Sequence, residues 1–175
     1  MIEALRNRRM TLAAATAVAR LIEAQAATGA KRQIFFVSLC GFDTRNNELA
    51  TQQTLFGQLS PALQAFCDAT AALGMAGEVT TFTLSDFDRT MQPAAGGGSD
   101  HAWGNHHLIM GGAVKGGKLY GQYPQLVLGG TDDAEREGRR IPTTAVGQYG
   151  ATPDDLATVF PNLAQFSPGD LGFLG

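Results

Sequence analysis

The chain has 175 residues, of which 44% are apolar and 17% charged, and a net charge of −3. That length and apolar content suit one domain with a buried core and exclude a disordered chain. The mild acidity offers no basic footprint for nucleic acid, and no apolar run reaches the roughly 20 residues that span a bilayer.

Arg6, Arg8 and Arg9 precede the run Met10 to Ala19, a pattern similar to a twin-arginine signal peptide. That run is mostly alanine, however, and it breaks at Arg20 and Glu23. Leu12, Val18, Leu21 and Ile22 suit one face of an alanine-rich helix ending near Gly29, so residues 1–30 are read as an N-terminal helix. Gly29-Ala30-Lys31-Arg32 then turns the chain into a strand over 33–39. The continuous apolar run Ile34-Phe35-Phe36-Val37 predicts burial on both faces of a sheet. Gly41-Phe42-Asp43 and a polar loop follow.

Over residues 50–73, Leu55, Leu59, Leu63, Phe66, Thr70 and Leu73 recur at three- and four-residue spacing, which predicts a helix. Pro61 inside it, with Ser60 as a candidate N-cap, predicts a kink or two helices. Gly74 and Gly77 close the segment before a second strand over 79–84, followed by Ser85-Asp86-Phe87. From Pro93 to Gly130 the chain is loop-rich, with glycines clustered at 96–98, 111–112, 116–117 and 129–130. Short strands are expected at His107–Met110 and Lys118–Tyr120. The charged run 131–140 reads as a solvated loop. Helices are expected to begin at Ile141-Pro142 and at Thr152-Pro153-Asp154-Asp155, and the apolar tail from Phe160 to Gly175 to pack on the core.

If the helix over 50–73 is a right-handed crossover, the strands before and after it run parallel. Asp43 and Asp86 then emerge at one sheet edge, where open α/β folds keep their sites. Ser99-Asp100-His101 follows closely. His101, His106 and His107 are all the histidines of the chain, within seven residues. Carboxylates with an imidazole suit zinc, manganese or magnesium. Alternation along an extended segment points His106 and His107 apart, which favours His101 as the ligand. The competing reading is that each Asp caps its own turn and that the histidines lie on a surface loop packed by Trp103. Cys40 and Cys67 read as buried free thiols rather than a disulfide. Gly112-Ala113-Val114-Lys115-Gly116-Gly117-Lys118-Leu119 fails as a phosphate loop, because Leu119 stands where Ser or Thr should hold magnesium. No Gly-x-Ser-x-Gly elbow is present.

Several of these motifs, in order, resemble the C-terminal part of family 1501 of the domains of unknown function, a relative of the alkaline phosphatase and sulfatase superfamily. They are Arg32 to Leu39, Gly41-Phe42-Asp43-Thr44, Thr81 to Phe87, Ser99-Asp100-His101-Ala102-Trp103-Gly104, Gly111 to Gly117 and Ile141-Pro142-Thr143-Thr144. The resemblance implies a single α/β domain over 1–175: three-layer α/β/α with a mostly parallel sheet, alkaline-phosphatase-like, and the incomplete C-terminal portion of a full domain. It implies a two-metal site at the strand ends, the metals about 3.5–4 Å apart, acting on a small phosphate or sulfate ester. Asp43 would serve one metal and Asp86 the other. His101 would be the late histidine ligand, and Asp100 would ligate or orient it.

Departures from the family pattern count against a complete catalyst. Arg45 stands where a histidine ligand is usual, and arginine has no lone pair to give. Phe87 occupies the place of a phosphatase histidine, though Phe is usual for this family; Cys40 and Asp88 replace glycines, and the segment that carries the nucleophile is not evident. Relatives are often exported to the periplasm by a twin-arginine signal, which is not evident either. The expectation is therefore a metal-binding hydrolase-like domain, with a non-catalytic binding or structural module as the alternative. An unfinished sheet would expose an edge, inviting a homodimer or association with a missing N-terminal half.

Overall fold

The structure, a computed structural model, describes residues 12–144 and Gly172. The chain divides into two compact units. One comprises Met1–Val79 with Gly96–Gly98, the other Thr80–Ala95 with Ser99–Gly175.

In the first unit, α1 spans Leu12–Glu23, and alanine's high helix propensity explains why so plain a sequence is helical. Ala14, Ala15, Val18, Ala19 and Ile22 form its buried stripe, while Leu12 is exposed. A single further turn, α2 (Gln25–Thr28), ends at Gly29, whose left-handed φ of 66° stops the helix as expected. The longest element, α3, runs Glu48–Ala72 and buries Leu55, Ala62, Leu63, Phe66 and Thr70. Phe66 enters the α1 stripe of Ala15, Val18, Ala19 and Ile22, and Phe35, Val37, Ala69, Met75 and Val79 pack around this cluster. Small alanines on α1 let the large ring approach. Full burial of one such side chain contributes about 1.5–3 kcal/mol.

Two expectations for this unit change. Pro61 lies inside α3 as one continuous helix, so Ser60 does not cap a second one. The residue four before Pro61 is Gly57, whose flexible backbone eases the clash between the proline ring and its carbonyl. The segment 33–39 runs without a turn or bend but joins no strand, and Ile34 and Phe36 are exposed. Burial on both faces is not realised. Phe35 and Val37 face the helices, and the alternate residues do not.

In the second unit, β1 (Thr81–Phe82) pairs antiparallel with β4 (Ile109–Met110), placing Thr81 opposite Met110. Likewise β2 (Asp88–Arg89) pairs antiparallel with β3 (His101–Ala102), Asp88 opposite Ala102 and Arg89 opposite His101. The expected three-layer α/β/α domain with a mostly parallel sheet, alkaline-phosphatase-like, is thereby overturned. Among the described residues there are three α-helices and two antiparallel two-stranded sheets. The reason lies in pairing. A helix does follow 33–39, as a crossover would, but the strand after it pairs with the returning segment 109–110 instead. An antiparallel partner needs only a loop, whereas a parallel one needs the distant strand.

Lys118–Tyr120 forms no strand, and Ile141–Thr144 is not helical. The rest of that expected helix, the one at Thr152, the C-terminal tail and Arg6 to Arg9 lie outside the described residues, as does all but Gly172 of the tail's last stretch. Among the described residues no helix is long and apolar enough to cross a membrane.

Candidate functional site

Asp43 lies in the first unit, and Asp86, Asp100 and His101 lie in the second. Asp43 follows Gly41, whose φ of 114° redirects the chain against Leu55. Its carboxylate stands 3.4 Å from the Arg45 guanidinium, both side chains about half exposed. Thus Arg45 serves as a counterion to Asp43. The loop beyond is fixed from behind: Asn46 bridges Gly97, and the Asn47 and Glu48 N–H groups donate to the Gly96 and Gly97 carbonyls at 3.1 and 2.9 Å. A Cβ on Gly98 would overlap the Arg45 carbonyl, which explains the need for glycine there. Just before Asp43, Cys40 and Gly41 help line a shallow groove of about 690 Å³ with Asn47, Thr51, Thr54, Leu55 and Gln58. Cys40 is exposed rather than buried, and Cys67 is half-buried; both thiols are free. Burial and the neighbouring Asp68 push the Cys67 thiol up.

In the second unit the β2–β3 ribbon gathers the other three predicted residues. Asp86 is exposed in the turn entering β2, where the Ser85 hydroxyl donates to the Phe87 carbonyl at 2.8 Å. Asp100 precedes β3, its N–H donating to Thr90 Oγ1 at 3.0 Å and its carbonyl accepting from the Thr90 N–H at 2.9 Å. His101 lies flat on Phe87, ring centroids 4.0 Å apart and planes within 6°. The Arg89 guanidinium sits 5.9 Å from the centre of the same Phe87 ring and donates through Nε to Ser99 Oγ at 3.0 Å. As placed, these donors do not form a metal cage: among the described residues no three His, Cys, Asp or Glu side chains converge.

His106 and His107 turn to different neighbours. The His106 ring lies 5.0 Å from the Tyr123 ring, and His107 Nδ1 is 3.5 Å from Thr83 Oγ1. Burial pushes the His107 imidazole below its ordinary range, and His106 adds to the effect. Trp103 is 59% exposed and does not clamp the loop. Asp88, which in sequence stands out only as a replacement for glycine, lies half-buried on β2. Burial raises its carboxyl above the usual range, opposed by the Arg89 backbone N–H and by the charges of His106, Arg140 and Arg89.

The charged run 131–140, expected to be solvated, holds this ribbon in place. Asp133 is buried, and its Oδ2 accepts from the Gly129 and Gly138 N–H groups at 2.9 Å each. Its Oδ1 accepts from Arg139 N–H at 3.1 Å and Glu135 N–H at 3.4 Å. Burial works against ionisation of Asp133, but the four donors outweigh it and hold the carboxyl below its ordinary range. So shaped, the loop delivers Arg139 Nε to the His101 carbonyl at 3.1 Å. It also sinks Arg140, only 3% exposed, where Nη1 donates to the Gln125 carbonyl at 2.7 Å. Arg140 Nη2 meets the Met91 sulfur, while Nε has no hydrogen-bond partner among the described residues. No sequence signal separates Asp133 and Arg140 from the charges around them.

This chain is a protein of two small units, one helical and one of antiparallel ribbons, with acidic, imidazole and guanidinium groups along the β2–β3 ribbon. The family model for DUF1501, a protein of unknown function, matches residues 2–153, and the chain belongs to that family. Comparison with curated proteins and with solved structures gives no match.

Proposed function

We propose that this chain is a metal-binding, hydrolase-like domain related to phosphatases and sulfatases, and that it does not complete a catalytic centre by itself. What supports the reading is that Asp86 and Asp100 each lie within two residues of the β2–β3 ribbon that carries His101, where the half-buried Asp88 feels the charge of His106. Oxygen and nitrogen donors of this kind suit zinc, manganese or magnesium. The arrangement described above is not itself a cage, so capture of an ion requires the His101 ring to leave Phe87. Giving up such a stack costs about 0.5–1.5 kcal/mol, well within what coordination returns. A small phosphate or sulfate ester is the substrate class in this reading, with the nucleophile supplied by a separate segment.

Metal analysis and titration of the purified chain with zinc, manganese and magnesium test the proposal. The expected result is near-stoichiometric binding of one of them, weakened at least about tenfold in Asp86→Ala and in His101→Ala. Less than about 0.1 ion per chain under metal excess, unchanged in Asp86→Ala, ends this reading.

A specific observation favours the second reading, a non-catalytic binding or structural module. The His101 ring stacks on Phe87 while its main-chain carbonyl accepts from Arg139 Nε, a role that packing alone explains. On that reading His101→Ala lowers thermal stability while metal content stays at background.

A further inference from the structure

Arg140 is a buried cation whose donors are poorly matched. It is only 3% exposed, and among the described residues no carboxylate pairs with it. Nη1 donates to the Gln125 carbonyl at 2.7 Å and, more weakly, to the Val127 carbonyl at 3.4 Å. Nε has no hydrogen-bond partner among the described residues, and Nη2 has only the Met91 sulfur there. A thioether is a weak acceptor, so burial leaves this side of the guanidinium under-satisfied.

Met91 stands where the missing acceptor could be made. It is 43% exposed, whereas Met75 and Met110, the other described methionines, are half-buried. Its main chain is strapped to the loop 131–140. The Met91 N–H donates to the Gly138 carbonyl at 3.4 Å, and the Gln92 N–H to the Glu137 carbonyl at 3.0 Å. A Cβ on Gly138 would stand 2.5 Å from the Met91 Cβ, so the two segments touch without a spacer. The strap holds the sulfur at Arg140 while the residue keeps its access to solvent.

We propose that Met91 is a reversible oxidation switch, whose sulfoxide oxygen binds the Arg140 guanidinium and tightens the strap between residues 89–92 and 137–140. The oxidant is a peroxide. The sulfur lone pair attacks one peroxide oxygen, and an S–O bond forms as the O–O bond breaks. With hydrogen peroxide, the proton of the transferred oxygen passes to the departing hydroxide, and water leaves. Sulfur loses two electrons and the peroxide gains them. A sulfoxide oxygen accepts far more strongly than a thioether sulfur, and beside a buried cation that bond is charge-assisted. In the α1–α3 core, where Met75 packs, the same oxygen would be stranded and destabilising. The effect reaches the ribbon through Arg139, the neighbour of Arg140, whose Nε holds the His101 carbonyl at 3.1 Å. Thiol-dependent reductases take the oxygen off again as water, their thiols ending as a disulfide.

Limiting hydrogen peroxide on the full chain, followed by peptide mapping, calorimetry and hydrogen exchange, tests the switch. Met91 is expected to gain an oxygen at least about fivefold faster than Met75 and Met110. Tm then rises by about 2–4 °C, and exchange of the Gln92 N–H slows at least about threefold. Oxidised Met91→Leu shows neither change, and a methionine sulfoxide reductase returns the oxidised chain to its starting Tm. Met91→Gln places an amide oxygen near the position of the sulfoxide oxygen, so it exceeds Met91→Leu in Tm by about 2–4 °C without any oxidant. An unmodified Met91, a Tm that falls or stays level once Met91 is oxidised, or a rise that persists in Met91→Leu overturns the proposal. So does a Met91→Gln variant no more stable than Met91→Leu.

Discussion

Asp133 shows how one side chain can organise a loop that composition would assign to solvent. Its two oxygens terminate four backbone N–H groups that would otherwise be stranded, and burial makes each of those bonds matter. Asp133→Asn keeps the shape but turns an NH2 toward N–H donors. The expected outcome is a fall in Tm of at least about 5 °C, read by calorimetry. Arg139 would also lose its hold on the His101 carbonyl, so the amide of the residue after His101 should exchange faster with solvent. His107 adds a pH dependence with a definite sign. The fold favours its neutral form, so its stabilisation is complete above the unfolded pKa of about 6.5 and is lost as pH falls through the lowered folded value. Tm measured between about pH 7.5 and about pH 5.5 should decline on acidification, and His107→Gln should flatten that slope. A steeper slope in the variant would contradict the argument.

At the scale of elements, periodicity was a sound guide wherever an element packs through its own side chains. The helical spacing of Leu55, Leu63, Phe66 and Thr70 marks the buried stripe of α3, the alanine run marks α1, and Gly29 marks the end of α2. His107–Met110 was read as a strand, and Ile109–Met110 is one. Pairing was less legible, because an apolar run states that a segment could be covered, not by what. Residues 33–39 illustrate this: the same letters suit a central strand or an uncovered one. The charged run 131–140 misled for the opposite reason, since a carboxylate surrounded by its own loop's N–H groups looks in sequence like any solvated acid. Within α3, Pro61 removes one backbone hydrogen bond without ending the helix. Pro61→Ala is expected to restore that bond to Gly57 and to stabilise the chain by about 1–3 kcal/mol in urea unfolding. No gain would mean that Gly57 already accommodates the ring without strain.

At the scale of the whole molecule, the candidate site was legible as chemistry and not as geometry. Asp43, Asp86, Asp100 and His101 were identifiable from residue type and position along the chain. Their assignment to a shared sheet edge depended on a parallel crossover that the chain does not make. Asp43 belongs with the helices, while the other three belong with the ribbons. Membership of the DUF1501 family extends over residues 2–153 and so takes in both units. Asp43, Asp86, Asp100 and His101 thus all lie within the stretch that the family model matches.

The return of Gly96–Gly98 to the helical unit has a practical corollary. That unit is discontinuous: no single cut liberates it, because ending the chain at Val79 strips Asn47 and Glu48 of the carbonyls that receive their N–H groups. Dissection of this protein calls for a linker that reattaches residues 96–98, and a simple deletion series would report on lost backbone partners instead of on modularity.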